Sequence, residues 1–315
     1  MFKISVITPV YNRADCIVRC MESVSAQTSG LCEIEHVVVD DGSTDNTYAL
    51  IEDYAQTHGH VKVTRFEHNR GTNAGRNEAI RMATGEYVVI LDSDDVMLPG
   101  AVDSISNYIL NHPEYDCYMF TCDDMADEVA RYGKEHVFTF NDFLLGDVTG
   151  DFVHVMKRNL PLEFPFGEGV RIYESVFLLR FFRKAGKIAF FNAVLYHRDR
   201  SRDDHVTYTL RKISDHAFRS SVDALAMQCS WFADDYKKSE RGMQKYKGLL
   251  TEMYKLAVLI GDDAVAESAL TELRSMGVKV PAVYKLIGQV HGGRLACEAI
   301  KVMIRVKYLF LTKRG

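Results

Sequence analysis

The stretch from Glu86 to Asp95 constrains this chain most, because an unbroken apolar run, Tyr87 to Leu91, passes directly into Asp92, Ser93, Asp94 and Asp95. A short run rich in β-branched residues and lacking alternation reads as a strand covered on both faces. Carboxylates spaced this closely repel one another, so they need solvation, a proton or a neighbouring cation, and the cation is the reading favoured here. In open α/β sheets ligands gather at the carboxyl ends of strands, which puts the acid cluster at a site.

The same punctuation recurs upstream. Phe2 to Thr8 reads as a buried strand that Pro9 ends, since proline fixes φ and restrains its predecessor. Ile17, Cys20, Met21 and Val24 give Ala14 to Gln27 the stripe of an amphipathic helix. Ile34 to Val39 is a second strand, and it too runs into acids, Asp40-Asp41-Gly42-Ser43. Next come a helix capped by Thr44 or Asp45 and stopped at Gly59, a strand over Val61 to Phe66, and a short helix that Gly85 terminates. After Pro99, Val102, Ile105 and Ile109 line one helix face, and Asp116 to Thr121 forms a further strand. This alternation predicts an α/β fold with a mostly parallel sheet and helices on both faces.

From Cys122 to Arg198 the pattern loosens into short strand-like pieces, an aromatic loop at Phe164 to Gly167, a helix near Val176 to Ala185 and the run Ile188 to Arg198. Beyond the charged stretch Asp199 to Asp204, long helical patterns dominate, including Leu249 to Ile260 and Ala264 to Met276, and they predict an α-helical extension over 206–315.

A length of 315 residues suits a core domain with a smaller appendage, and a net charge of −5 gives no reason to expect nucleic acid as a partner. No secretory signal is expected, since the chain enters a strand-like run directly, and no apolar run is long enough to span a bilayer. The seven cysteines lack paired spacing and read as reduced thiols of a cytoplasmic protein; Cys16 and Cys20, four apart on a helix, suit packing better than a metal. Residues 294–314 interleave Arg294, Lys301, Arg305, Lys307, Lys313 and Arg314 with apolar positions. That pattern fits peripheral contact with the inner face of the plasma membrane, and equally a packed helix with a solvated basic face. A homo-oligomer is compatible with the composition.

Four pieces fall on one rim of the expected sheet: Thr8-Pro9-Val10-Tyr11-Asn12-Arg13, Asp40-Asp41-Gly42-Ser43, Asn69-Arg70-Gly71 with Arg76, and Asp92-Ser93-Asp94-Asp95. Together, in this order, they resemble the inverting family 2 glycosyltransferases over about the first two hundred residues. The resemblance implies a GT-A fold, with a Rossmann-like nucleotide-sugar-binding half over 1–121 and an acceptor half over 122–205. It also implies a nucleotide-diphosphate sugar donor, a glycan or lipid-linked saccharide acceptor, and Mn2+ or Mg2+ as cofactor. A dinucleotide-dependent oxidoreductase is disfavoured, because Pro9-Val10-Tyr11-Asn12 stands where a Gly-x-Gly-x-x-Gly turn would follow the first strand.

Bottom-up chemistry supports each expected role. Pro9 and Tyr11 line the nucleotide, with the Tyr11 ring offered to the base, and Asp40 or Asp41 accepts from a base imide N–H, which favours uracil. Arg76 suits a diphosphate or the base pocket, because a guanidinium matches phosphate geometry. The resemblance assigns Asp92, with Ser93 beside it, to the ribose and Asp94 to the metal, leaving Asp95 behind them. It also puts a basic residue at the end of the last strand-like run, which favours Arg198, with His197, Arg202 and His205 near it. Inversion needs a carboxylate to take the acceptor hydroxyl's proton. The family places it in a Glu-Asp pair, but this chain has Glu174-Ser175. Glu174 is therefore the expected base, with Glu168 and Asp151 in reserve. The departure at Ser175 keeps open a catalytically impaired nucleotide-sugar-binding or scaffold protein.

Overall fold

In the computed structural model, which describes residues 1–168, 174–199 and 215–279, the apolar runs become neighbouring strands of one sheet. The first half runs β1 (Phe2–Val10), α1 (Ile17–Ser25), β2 (Cys32–Asp40), α2 (Thr47–Thr57), β3 (Val61–Arg65), α3 (Thr72–Met82) and β4 (Tyr87–Ile90). Then follow β5 (Val96–Met97), α4 (Ala101–Asn111), β6 (Cys117–Cys122), α5 (Ala126–Val129), β7 (Glu135–Thr139), α6 (Phe140–Leu145), β8 (Val153–Lys157), α7 (Asn159–Glu163), α8 (Glu174–Ala185) and β9 (Lys187–His197). The strand order is β3-β2-β1-β4-β8-β6-β9-β5, with β7 also on β9.

Strand alternation explains why helices cover both faces. Ile4, Val6, Val10 and Val38 join one buried cluster with Ile17, Cys20, Met21 and Val24 of α1 and Val102, Ile105 and Ile109 of α4. On the other face α3 packs so closely that a Cβ on Gly75 would lie 2.9 Å from the Pro9 side chain and 4.0 Å from Val39. Only glycine admits that approach.

Two features depart from the sequence reading. β1 does not end at Pro9: it stays paired with β2 through Pro9↔Val39 and Val10↔Asp40. Pairing with β4 stops at Ile7↔Ile90, so beyond it β1 has one strand neighbour, and a residue with no N–H is tolerated there. Second, β6 is not beside β4; β8 lies between them, antiparallel to both, so the sheet is parallel across β3-β2-β1-β4 and mixed thereafter. β5 pairs antiparallel with the end of β9, Val96↔His197, which carries residues 197–199 to the acid cluster.

The chain divides into two units, Met1–Ser201 and Arg202–Gly315. In the second, α9 (Asp215–Tyr236), α10 (Glu240–Ile260) and α11 (Asp263–Ser275) follow in turn. Ser239 caps α10 by accepting from Gly242 N, and Asp262 caps α11 by accepting from Val265 N. Tyr236 stacks on Tyr246 at 5.6 Å, and Leu250, Ala257, Ala269 and Leu273 are buried. The basic segment 294–314 lies outside the described residues.

Candidate active site

The loop after β1 and the loop after β2 are built as one piece. Asn12 has φ 50°, a left-handed conformation that Asn tolerates. Its N–H donates to Ser43 Oγ at 2.9 Å, and its Oδ1 accepts from Thr44 N at 2.8 Å. Arg13 N donates to Thr47 Oγ1 at 2.7 Å, and Thr47 N to Asp45 Oδ1 at 2.9 Å. These bonds fix the backbone around Tyr11, a residue 40% exposed beside the rim.

Asp40 and Asp41 are both buried, yet their oxygens are used differently. Asp41 spends one oxygen on Arg70 N at 2.6 Å and the other on Gly71 N at 2.8 Å, so it organises the loop before α3. Asp40 concentrates its partners on Oδ2, which accepts from Ser43 N at 3.1 Å and forms an ion pair with Arg65 Nε at 3.1 Å. Its Oδ1 is buried with no hydrogen-bond partner. A buried acceptor in that state is costly, and it suits an incoming N–H. Gly42, at φ +74°, makes the loop possible: a Cβ there would lie 2.7 Å from the His68 carbonyl carbon and 2.8 Å from Asn69 N.

Arg76 and Asp92 meet at the end of β4. Arg76 is buried and its Nη2 donates to the exposed Asp92 Oδ1 at 3.1 Å, with Nη1 3.4 Å from Asn73 Oδ1. Ser93 is buried, and Asp94 is half-buried with its carbonyl accepting from Arg19 Nη2 at 3.1 Å. Burial, reinforced by the charges of Asp92 and Asp94, pushes the Asp95 carboxyl up to about 8. The donor set fits a divalent cation on that ground: three crowded carboxyl groups, one of them held towards its neutral form by burial and by its neighbours, are relieved by positive charge. Among the described residues no group of three or more His, Cys, Asp or Glu side chains is placed to hold a metal ion by itself. An oxygen site that shares its coordination with a substrate diphosphate is the kind Mg2+ and Mn2+ accept.

The end of β9 closes this rim. Asp199 N donates to Asp95 Oδ1 at 3.3 Å, and Asp199 Oδ2 pairs with Arg19 at 2.8 Å. Arg198, the basic residue expected at the end of the last strand-like run, has its guanidinium engaged by Asp151 at 2.9 Å and Cys122 Sγ at 2.9 Å, with Asp124 at 3.8 Å. His197 Nδ1 pairs with Asp123, which also accepts from Arg198 N at 3.1 Å. Asp151, a reserve for the base, is thus committed to Arg198. Arg202 and His205 lie outside the described residues.

Sequence reasoning missed the clamp that ties α3 to the aromatic loop. Asn77 Nδ2 donates to Phe166 O at 2.8 Å while its Oδ1 accepts from Phe166 N at 2.9 Å, and Asn73 Nδ2 donates to Gly167 O at 3.0 Å. The Arg76 guanidinium lies 5.8 Å from the Phe166 ring centre, and Arg70 pairs with Glu168, the other reserve, at 2.8 Å. The available signal was two asparagines four apart in a helix, where Asn is a poor interior residue unless its amide bonds elsewhere. This loop leads towards α8, which begins at Glu174, with Ser175 exposed beside it; residues 169–173 and the Glu174 side chain lie outside the description.

Residues 5–162 match the domain described as Glycosyl transferase family 2. The chain is 29% identical over 289 residues to Glycosyltransferase GlyG of Streptococcus pneumoniae serotype 4, covering 80% of this chain and 92% of GlyG. Two other curated glycosyltransferases are matched over 30% and 53% of their lengths. The fold is similar to S. aureus TarS 1-349 in complex with UDP-GlcNAc, with a TM-score of 0.59 and 20% identity, covering 89% of this chain and 93% of that one. It is also similar to the mannosyltransferase PcManGT from Pyrobaculum calidifontis in complex with GDP-Man and Mn2+, with a TM-score of 0.55 and 20% identity over 98% of this chain and 84% of that one. At such identities the likeness establishes the GT-A architecture.

Proposed function

The chain belongs to glycosyl transferase family 2, and on that premise we propose that it moves a hexose or N-acetylhexosamine from a UDP-sugar to a glycan or lipid-linked acceptor in surface or capsular polysaccharide synthesis. The observation that carries the donor reading is Asp40 Oδ1, a buried acceptor without a partner at the carboxyl end of β2. It suits the imide N–H of uracil, and the UDP-GlcNAc complex of the similarly folded TarS supports that choice.

In this reading Pro9 and Tyr11 flank the base, Asp92 and Ser93 meet the ribose, and Arg76, already paired with Asp92, orients that carboxylate and the diphosphate beside it. Asp94, with Asp95 behind it, would hold Mn2+ or Mg2+, and the Mn2+ in the PcManGT complex supports the assignment. A bound divalent ion supplies charge stabilisation for the departing diphosphate. Arg198, tied to Asp151, braces the far rim. Glu174, at the start of α8, takes the proton of the acceptor hydroxyl as its oxygen attacks the anomeric carbon from the face opposite the leaving group, which inverts the configuration.

Among the described residues no helix is long and apolar enough to cross a membrane, which is compatible with peripheral attachment at the inner face of the plasma membrane. Screening purified protein against nucleotide sugars with Mn2+, recording both thermal stabilisation and UDP release, tests the proposal. UDP release that needs the metal and collapses in Asp94→Asn is expected. Full metal-dependent turnover in Asp94→Asn refutes the metal assignment, and stabilisation by donor with neither transfer nor hydrolysis favours the scaffold reading motivated by Ser175.

A further inference from the structure

Arg65 belongs to none of the motif pieces, yet it is the counter-ion of Asp40. It is the last residue of β3, in register with Asp40 on β2. Its Nε lies 3.1 Å from Asp40 Oδ2, its Nη2 donates to Ser43 O at 2.8 Å, and its guanidinium carbon lies 4.6 Å from the centre of the Tyr48 ring. A side chain 44% exposed is thereby held in one plane by three separate contacts. The two groups that reach the Asp40 carboxylate, the Arg65 guanidinium as an ion pair and the Ser43 amide as a hydrogen-bond donor, both go to Oδ2, while Oδ1 stays buried without a partner.

We propose that Arg65 sets nucleobase choice: by anchoring Asp40 Oδ2 it leaves Oδ1 as a pure acceptor, which takes a base with a ring N–H, as in uracil, and rejects cytosine. The N3 of cytosine is itself an acceptor, so it would face Oδ1 with no proton between them. Without the guanidinium, a buried carboxylate loses its counter-charge and its orientation. A carboxyl that is free to rotate no longer tells the two bases apart. Lysine does not replace this arrangement, because a point charge cannot span Asp40 and Ser43 as a fixed fork does. The inference rests on the reading that Asp40 meets the base, and the experiment separates the two.

Titration calorimetry with UDP and with CDP, at fixed Mn2+, gives the affinity ratio for the wild type, Arg65→Met, Arg65→Lys and Asp40→Asn. Arg65→Met is expected to lower the UDP-to-CDP ratio at least about tenfold, the scale of one mismatched hydrogen-bond pairing, mainly through weaker UDP binding with CDP held or improved. Equal weakening of both nucleotides would mean that Arg65 only braces the loop, and overturns the proposal. Should Arg65→Met fail to fold, Arg65→Lys decides: a lowered ratio supports the proposal, and an unchanged ratio overturns it. Asp40→Asn serves as the control on the premise. If its ratio is unchanged, Asp40 does not meet the base and the premise itself fails; if it shifts while the Arg65 variants keep the wild-type ratio, only the role of Arg65 falls.

Discussion

Replacing Glu35 with glutamine should destabilise the fold at neutral pH by an amount that disappears in acid. Glu35 lies in β2 opposite Ser5 and is buried. Its carboxylate accepts from Ser5 Oγ at 2.5 Å, Thr84 N at 2.5 Å, Thr84 Oγ1 at 2.9 Å and Gly85 N at 3.1 Å, and pairs with Lys62 at 2.7 Å. Burial alone would raise its pKa, but Lys62 and the Ser5 and Thr84 donors outweigh it and bring the value from 4.5 to about 2. At about 1.36 kcal/mol per unit that fall corresponds to about 3 kcal/mol, which we discount to about 2 kcal/mol because Lys62 is partly exposed and screened. A depressed folded-state value means that the unfolded chain binds the proton first. The contribution is therefore fully present above about pH 4.5 and is lost as the pH falls towards about 2. Urea midpoints for wild type and Glu35→Gln, measured from pH 7 down to pH 3, give the difference directly. The gap should be widest at pH 7 and narrow steadily below about pH 4.5; a gap independent of pH across that range refutes the argument.

Two further outcomes follow from the site. Asn77→Ala removes both bonds to Phe166 and should cost about 2–3 kcal/mol in urea unfolding, while sugar transfer falls far more than UDP affinity, because the loop towards α8 is freed and Asp40 is untouched. Gly42→Ala forces a side chain onto a φ of +74° and against the backbone of His68 and Asn69, so UDP affinity by calorimetry should drop at least about tenfold, the cost of displacing the loop that carries the Asp40 partner Ser43.

Much of the first half was legible because its signals are local. Apolar runs ending in Asp40-Asp41 and Asp92 to Asp95 mark strand ends, and the three- and four-residue spacing of Ile17, Cys20, Met21 and Val24 marks the buried face of α1. The insertion of β8 between β4 and β6 was not legible, since a run such as Val153 to Met156 reads the same beside either neighbour. Pairing partners are chosen by the long-range fit of whole layers, which no window of sequence contains. The same limit hid the Asn73 and Asn77 clamp, whose acceptors lie some ninety residues away at Phe166 and Gly167.

The sequence by itself determined that carboxylates would gather where β2 and β4 end, because strand length and the apolar-to-acid switch are written along the chain. Only the tertiary structure decided what each carboxylate is left to do. Asp41 is engaged through both oxygens by the amides of Arg70 and Gly71, one oxygen of Asp92 by Arg76, and one oxygen of Asp40 by Arg65 and Ser43, leaving the other oxygen of Asp40 unbonded. A hydrogen-bond acceptor is defined by the donors that reach it, and those donors arrive from strands and loops whose register is set across the sheet.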